Sequence, residues 1–240
     1  MDPHTVLATV TNYGYLLYTR NMLKSLEPFG LDKAVMILCL DQKSAGILRT
    51  LGYSVSDKET DVAQFCPWNT EGYDKICYLK LEWIHSLLLT KNVVMIDGDI
   101  VFRKNPWDDI LQWQNHSPTD TWIQNDGMTD SARENLCTGY QMIRSNPRMR
   151  TLYDCKSERG QHQYSRCALQ NNDQTYFNLY IKPYCTVRAL PLKDYPNGGV
   201  FYRDAAELSP VLVHFNWVVG HEKKGKMKEH NMWLLTEEDV

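Results

Sequence analysis

Two aspartates separated by one glycine follow an uninterrupted apolar run. The run Val93–Ile96 leads directly into Asp97-Gly98-Asp99. In extended backbone, residues i and i+2 project to the same side, so both carboxylates could bind one hard divalent cation. Gly98 would let a bulky anion approach the backbone closely. The pattern suggests a Mn²⁺ or Mg²⁺ site for a diphosphate, although Asp-Gly-Asp is also ordinary turn chemistry.

A histidine late in the chain could complete the coordination of this cation. His214 follows an apolar run and is therefore expected at the end of a strand. Imidazole is a suitable third ligand beside two carboxylates. Farther along the chain, Gly220 and the cluster Lys223, Lys224 and Lys226 could place ammonium charge on a phosphate. A solvated basic segment would give the same pattern, and the sequence does not say which lysine contacts phosphate.

Strands and helices alternate through the first half of the chain. Apolar or β-branched runs predict strands at Thr5–Thr11, Ala34–Leu40, Tyr53–Val55 and Val93–Ile96. Helical spacing of apolar residues predicts helices over about 16–26, 44–51 and 73–89. This alternation predicts an α/β fold with an open, mostly parallel central sheet flanked by helices. Ligands bind such sheets beyond the carboxyl ends of the strands.

Two expectations concern the second half of the chain. The polar stretch Ser157–Asn172 shows no hydrophobic periodicity, so we expect a loop there, either a lid over an acceptor or an ordinary surface loop. Asp173 and Gln174 are expected to open a helix, with Asp173 as a candidate N-cap.

Composition excludes several classes of protein. The 240 residues include 26 Lys+Arg and 29 Asp+Glu, a net charge of -3, so no global positive field would hold nucleic acid. No apolar run has the length of a membrane span. The first residues do not resemble a secretory signal, and the 7 cysteines are odd in number and scattered. We therefore expect a cytoplasmic protein without a nucleic-acid partner or a membrane span.

Several motifs in a fixed order resemble the GT-A nucleotide-diphospho-sugar transferases, closest to glycosyltransferase families 8 and 77. The motifs are Asp97-Gly98-Asp99, Cys137–Pro147, Asn172–Asn178 and His214–Lys224. The resemblance implies a single GT-A (Rossmann-like) domain over 1–240, of the compact soluble type found in bacteria and large DNA viruses. It further implies a nucleotide-binding half over 1–100 and a half for the donor sugar and acceptor over 101–240.

The resemblance also implies roles for individual residues. Its nucleotide-binding set consists of Thr11, Asn12, Tyr13, Asp41, Lys80, Gly98, Gly220, Lys223 and Lys224. The implied donor-sugar residues are Thr138, Gly139 and Asp126, and the implied catalytic pair that lines the reacting sugar is Asp173 and Gln174. Cys137 stands where the family usually has Asn, which leaves the identity of the donor sugar open.

The implied function is metal-dependent transfer of a sugar from a UDP-sugar, such as UDP-xylose, UDP-glucose or UDP-galactose, to a hydroxyl of a glycan or glycoprotein. If the reaction inverts, Asp173 is the first candidate base and Asp126 the second. If it retains, Asp173 and Gln174 lie beside the anomeric carbon. Two alternatives stay open: a haloacid-dehalogenase-like phosphatase that uses Asp97 and Asp99, and an inactive sugar-nucleotide-binding module.

Overall fold

A computed structural model of the chain describes residues 3–167 and 172–239. Within these residues the strands are β1 (Thr5–Thr11), β2 (Val35–Cys39), β3 (Ser54–Asp57), β4 (Asn92–Ile96), β5 (Ile100–Phe102), β6 (Thr121–Asn125), β7 (Leu136–Ile143), β8 (Val187–Leu190) and β9 (Leu212–His214). The helices are α1 (Leu16–Leu26), α2 (Gln42–Thr50), α3 (Glu71–Leu88), α4 (Trp107–His116), α5 (Pro147–Tyr153), α6 (Glu158–Ser165), α7 (Asp173–Tyr176), α8 (Gly198–Asp204) and α9 (Glu222–Glu229).

The main sheet has the strand order β3-β2-β1-β4-β7-β6-β8. The pairs β2/β3, β1/β2, β1/β4 and β6/β8 are parallel, whereas β7 is antiparallel to both neighbours. The predicted mixed, mostly parallel sheet flanked by helices is therefore confirmed. No helix in the described ranges combines the length and the apolar composition that a bilayer crossing requires.

Helices cover both faces of the sheet, which explains why its central strand β4 is apolar from Val93 to Ile96. On β4, Val94 and Ile96 pack into the core beneath α1, α2 and α4, while Val93 and Met95 pack into the core beneath α3, α5 and α7. Successive side chains of a strand point to opposite faces, so a strand covered on both sides needs apolar residues at every position.

The expected loop over Ser157–Asn172 is wrong for half of its length, because α6 occupies Glu158–Ser165. Ser157 caps this helix, its Oγ accepting a hydrogen bond from the Gly160 amide at 3.1 Å. Gly160 lets the helix pack closely on the backbone at Asp154 and Cys155. Residues 168–171 of that stretch lie outside the described residues.

The predicted helix at Asp173 is confirmed, but its predicted cap is wrong. Asn172 is the N-cap, since its Oδ1 accepts a hydrogen bond from the Thr175 amide at 2.7 Å. The Asp173 carboxylate is therefore free to point elsewhere.

A second, two-stranded sheet pairs β5 with β9 in antiparallel orientation. Its register places Ile100 opposite His214, and the Phe215 amide donates to the Asp99 carbonyl at 3.0 Å. Two stretches of chain far apart in sequence are thus held side by side at the end of β4.

Arg144, which follows β7, closes the C-terminal end of α4. Its guanidinium donates to the carbonyl oxygens of Trp113 at 2.9 Å, Ser117 at 2.7 Å and Thr119 at 3.3 Å, and it lies over the Trp113 ring. The last carbonyls of a helix lack intrahelical donors and form the negative end of its dipole. The partly buried guanidinium of Arg144 satisfies both requirements.

Replacing Arg144 should therefore destabilise the fold. We expect Arg144→Met to lower the free energy of unfolding by about 2–3 kcal/mol, because three partly buried carbonyls lose a charged donor. Arg148→Met is the control: its side chain is 56% exposed and pairs with Asp120, so a loss below about 1 kcal/mol is expected. Urea denaturation measures both, and equal losses would contradict this role of Arg144.

Candidate active site

A cavity of about 590 Å³ opens where β1 and β4 end. Most residues singled out from the sequence line it: Thr11, Asn12, Lys80, Asp97, Gly98, Asp99, Asp126, Thr138, Gly139, Asp173, Gln174, His214, Gly220 and Lys223. They come from both halves of the chain, and the fold brings them to one place.

Three of the predicted nucleotide-binding residues, all in the described part of the chain, lie outside the cavity lining. Asp41 caps α2, accepting from the Ser44 amide at 2.8 Å and the Tyr13 amide at 2.7 Å. The Tyr13 ring faces the Lys43 ammonium, and the Lys224 ammonium lies over a tryptophan ring outside the cavity. Of the lysines in the C-terminal motif, Lys223 is the one that reaches the cavity.

Asn12 lines the cavity, but its amide also has a structural task. Nδ2 donates to the carbonyls of Val62 at 2.6 Å and Gln64 at 2.7 Å, and Oδ1 accepts from the Tyr15 amide at 2.9 Å. Asn12 therefore fixes the segment before α3 against the end of β1.

Asp97, Asp99 and His214 each present a potential ligand atom, and these atoms lie within 4.8 Å of one another. Asp97 follows β4, Asp99 precedes β5 and His214 ends β9. Two carboxylate oxygens and one imidazole nitrogen form a donor set that suits Mn²⁺ or Mg²⁺. Three protein ligands leave positions for the oxygens of a phosphate, so the residues fit the expected cation.

A hydrogen bond to Gln124 orients the His214 ring. Gln124 Nε2 donates to the carbonyls of Tyr195 at 3.2 Å and Pro196 at 2.9 Å, so its Oε1 is the atom that faces His214 Nδ1 at 2.7 Å. The Nδ1 atom must then carry a proton, and Nε2, which lies 3.2 Å from Asp99 Oδ1, faces the cation site. Gln124 was not expected from the sequence. The available signal was an amide directly after the residues Thr121, Trp122 and Ile123, which are typical of a strand.

Buried positive charges offset the carboxylates of the site. The Lys80 ammonium lies 2.6 Å from Asp97 and 2.9 Å from Asp173, and the Lys223 ammonium contacts Asp99. Burial alone would lower the pKa of Lys80, but the two carboxylates raise it above its usual value. Burial opposes ionisation of Asp99 as well, yet Lys223 and His214 hold its pKa well below the usual range.

Asp97 and Asp173 respond differently to Lys80. Burial and the nearby charge of Asp173 raise the pKa of Asp97 despite the ammonium. The pKa of Asp173 is lowered against the effect of burial, because Lys80 pairs with it and the Thr138 hydroxyl donates to it at 2.6 Å. Asp173 is therefore an ionised carboxylate whose Oδ2 is contacted by both the Lys80 ammonium and the Thr138 hydroxyl.

Asp126 gathers four neutral donors. Its Oδ1 accepts from Asn216 at 3.1 Å and Trp217 at 3.0 Å, and its Oδ2 accepts from Asn135 at 3.0 Å and Gln174 at 2.9 Å. This network connects Gln174 to the segment that follows His214. Asn135 was not expected from the sequence, because its position relative to Asp126 depends on tertiary structure.

Two aromatic residues of the cavity, Tyr15 and Phe65, were also not expected from the sequence. Tyr15 and Phe65 line the cavity with nearly parallel rings whose centroids are 6.3 Å apart, and Trp68 is half-exposed at the same cavity. Tyr13 was the predicted aromatic contact of a nucleobase. Tyr15, two residues later, is the ring that faces the cavity.

Comparison with protein families finds that a model described as nucleotide-diphospho-sugar transferase matches residues 30–229. Two curated proteins are similar over most of the chain. A UDP-galactose:fucoside alpha-3-galactosyltransferase of Dictyostelium discoideum is 23% identical over 98% of this chain. A UDP-D-xylose:L-fucose alpha-1,3-D-xylosyltransferase of Arabidopsis thaliana is 22% identical over 96% of it. The chain spans 44% of the length of the first relative and 67% of the second.

Among solved structures, the galactosyltransferase LgtC in complex with donor and acceptor sugar analogues superposes with a TM-score of 0.60. The two sequences are 16% identical, and the match covers 97% of this chain and 98% of that one. At this identity the likeness shows the fold alone, which is the GT-A fold implied by the sequence motifs.

Gln124 can be tested through cation affinity. We expect Gln124→Met to weaken Mn²⁺ binding about 10–100-fold, because the His214 ring loses the acceptor that fixes its orientation. The matched control is Gln141→Met, which removes a buried amide from the adjacent strand β7. Titration of the protein with Mn²⁺ by electron paramagnetic resonance measures both, and equal affinities in the two variants would contradict the role of Gln124.

Lys80 can be tested through stability. We expect Lys80→Met to lower the free energy of unfolding by about 3–5 kcal/mol near pH 7, because Asp97 and Asp173 lose their shared cation. The lowered pKa of Asp173 stabilises the wild type above the unfolded-state pKa, and this contribution is lost on acidification. Without Lys80, protonation of the two carboxylates relieves their repulsion, so the deficit of the variant should shrink towards about pH 4.

Urea denaturation at both pH values measures this difference. Lys58→Met serves as the control, because Lys58 forms an exposed pair with Glu82 at 2.9 Å, worth less than about 1 kcal/mol. A deficit for Lys80→Met that stayed constant with pH would show that the two carboxylates are not its cause.

Proposed function

Because the chain belongs to the nucleotide-diphospho-sugar transferase family, we propose that it transfers galactose or xylose from UDP to a hydroxyl of a fucoside within a glycan or glycoprotein. The observation that carries this proposal is that Asp97, Asp99 and His214 face the same cavity as Asp173 and Gln174. A site for a cation-bound diphosphate and a site for a sugar are thus adjacent. In this proposal residues 1–100 hold the nucleotide, and residues 101–240 hold the donor sugar and the acceptor.

The choice of substrates draws on the two curated relatives. Both carry a UDP-sugar donor and a fucose acceptor in their names, and they differ in donor, galactose in one and xylose in the other. Cys137, which stands where the family usually has Asn, lies within the site. Its thiol is 3.6 Å from His214 Nδ1 and 3.8 Å from Asn216 Nδ2. A thiol is a weak hydrogen-bonding partner for a sugar hydroxyl, so Cys137 would contribute little to binding of the donor sugar.

Retention of configuration fits the site better than inversion. An inverting reaction needs a carboxylate that can take the acceptor's proton. Asp173 is paired with Lys80 and Thr138 and its pKa is lowered, and Asp126 already accepts four hydrogen bonds. Neither candidate base is a good proton acceptor. Both relatives are also named for alpha-linked products, and UDP-galactose and UDP-xylose are alpha-linked donors.

The residues of the cavity have distinct tasks in this reaction. Asp97, Asp99 and His214 would hold Mn²⁺ or Mg²⁺, which when bound offsets the negative charge of the diphosphate. Lys223 adds a positive charge at Asp99, and Lys80 adds one at Asp97. Both ammonium groups favour departure of UDP, because charge on the leaving phosphate grows as its bond to the sugar breaks.

The transfer exchanges one bond for another. The bond between C1 of the sugar and the β-phosphate oxygen breaks, and a bond from the acceptor oxygen to C1 forms. The acceptor's proton leaves with the departing phosphate, so no protein group needs to keep it. Asp173 is ionised and can stabilise positive charge that develops on the sugar ring.

The family match weighs against the phosphatase interpretation of Asp97 and Asp99, because that model describes a sugar transferase. The inactive module remains the competing interpretation, and the same experiment addresses it.

Calorimetric titration with UDP, with and without Mn²⁺, tests the proposal together with a transfer assay. We expect micromolar, Mn²⁺-dependent binding that is lost in Asp97→Ala plus Asp99→Ala, because the variant lacks two of the three ligands. Wild type should transfer galactose or xylose to methyl α-L-fucoside. The control, Glu237→Ala plus Glu238→Ala, removes the same charge from an exposed segment. Failure to bind UDP with any divalent cation would refute the proposal, and binding without transfer would favour an inactive module.

A further inference from the structure

Trp217 combines an exposed ring with a constrained backbone. The residue is 56% exposed and lines the cavity, and its φ angle is 64°. Bulky residues rarely adopt this left-handed conformation, which favours Gly or Asn. Such a conformation costs free energy and persists where neighbouring contacts impose it, often at sites of function.

Two contacts fix the Trp217 ring. Its Nε1 donates to Asp126 Oδ1 at 3.0 Å. The ring also packs directly on Gly199, where an added Cβ would lie 2.9 Å from the ring atom Cδ2. Glycine at 199 therefore lets the indole lie against the backbone at the start of α8, while much of the ring stays open to the cavity.

The contacts of Asp126 place this ring beside the expected reaction centre. The other oxygen of the carboxylate accepts from Gln174 at 2.9 Å, and Asn216, the neighbour of Trp217, lies two residues after His214. Tyr15 lies between β1 and α1, and Phe65 lies between β3 and α3. Both rings therefore come from the half expected to hold the nucleotide. Trp217 is thus the exposed ring connected to the sugar-binding residues.

We propose that Trp217 is the stacking surface for the acceptor sugar and that it selects a 6-deoxy sugar of galacto configuration, as found in an L-fucoside. This inference rests on the proposed function. In L-fucose the C–H groups at C3, C4 and C5 form one apolar face, and the C6 methyl extends it. The negative face of an indole attracts such C–H groups. The equatorial hydroxyl at C3 lies at the edge of the stacked ring and remains free to react.

Two substitutions distinguish the effect of the Trp217 ring from the effect of its hydrogen bond to Asp126. Trp217→Asn removes the ring and keeps a residue that tolerates the left-handed backbone, whereas Trp217→Phe keeps an aromatic face and removes the N–H. We expect the KM for methyl α-L-fucoside to rise about tenfold in Trp217→Asn and about two- to threefold in Trp217→Phe. The Kd of UDP with Mn²⁺ should change less than about twofold, because UDP lacks the transferred sugar and the acceptor that would contact this end of the cavity.

The acceptor's methyl group gives a second readout. Methyl α-L-galactoside differs from methyl α-L-fucoside by a hydroxyl at C6. Wild type should prefer the fucoside, and Trp217→Asn should lose most of that preference. The control is Tyr184→Asn, which removes a 65% exposed aromatic ring that does not line the cavity and should change the acceptor KM less than about twofold.

Saturation-transfer NMR of methyl α-L-fucoside, with UDP and Mn²⁺ present, distinguishes failure of this inference from failure of the proposed function. Strong transfer to H3, H4, H5 and the methyl group that is lost in Trp217→Asn supports stacking, even if wild type transfers no sugar. Absence of binding, or a signal that Trp217→Asn leaves unchanged, overturns it. A loss of UDP affinity in Trp217→Asn would assign the ring to the nucleotide and would also overturn it.

Discussion

Three carboxylates, Asp97, Asp99 and Asp173, share one cavity, and the surrounding structure must offset their mutual repulsion. Lys80 lies between Asp97 and Asp173, and Lys223 and His214 contact Asp99. These positive groups come from α3, from α9 and from the end of β9. Charge balance in the cavity therefore joins elements from the two ends of the chain to the end of β4, and a divalent cation fits the same electrostatic pattern.

The fold could be predicted because its signals are local. Val93–Ile96 is uniformly apolar, as a strand beneath helices on both faces must be, and the structure places β4 there. Asp97, Asp99 and His214 could be singled out because each adjoins an apolar run that predicts a strand. The antiparallel pairing of β5 with β9, which brings His214 to the two aspartates, depends on tertiary structure. The start of α7 at Asp173 was equally visible. Its cap was not, since Asn172 and Asp173 are both good caps and the choice depends on tertiary contacts.

Side-chain direction was the part that sequence could not supply. Tyr13 and Tyr15 lie two residues apart in one short helical turn, yet of these two rings only that of Tyr15 lines the cavity. Lys223 and Lys224 are neighbours on one helix, and a rotation of about 100° per residue separates the cation that contacts Asp99 from the one that lies over a tryptophan. The donors around Asp126 come from three separate segments, so no spacing rule could join them. The binding and catalytic roles of these residues stay predictions.

The pairing of β5 with β9 has an evolutionary consequence. Asp99 and His214 stand at the same end of this small antiparallel sheet, so its hydrogen bonds set their separation whatever lies between the strands. Residues 103–211 connect β5 to β9, and this connecting segment contains Asp126, Thr138, Gln174 and Gly199. Insertions, deletions and substitutions in this connecting segment can reshape the sugar pockets while Asp99 and His214 keep their spacing. Proteins that inherit the β5/β9 pairing can therefore diverge in the sugars they bind without rebuilding the diphosphate site.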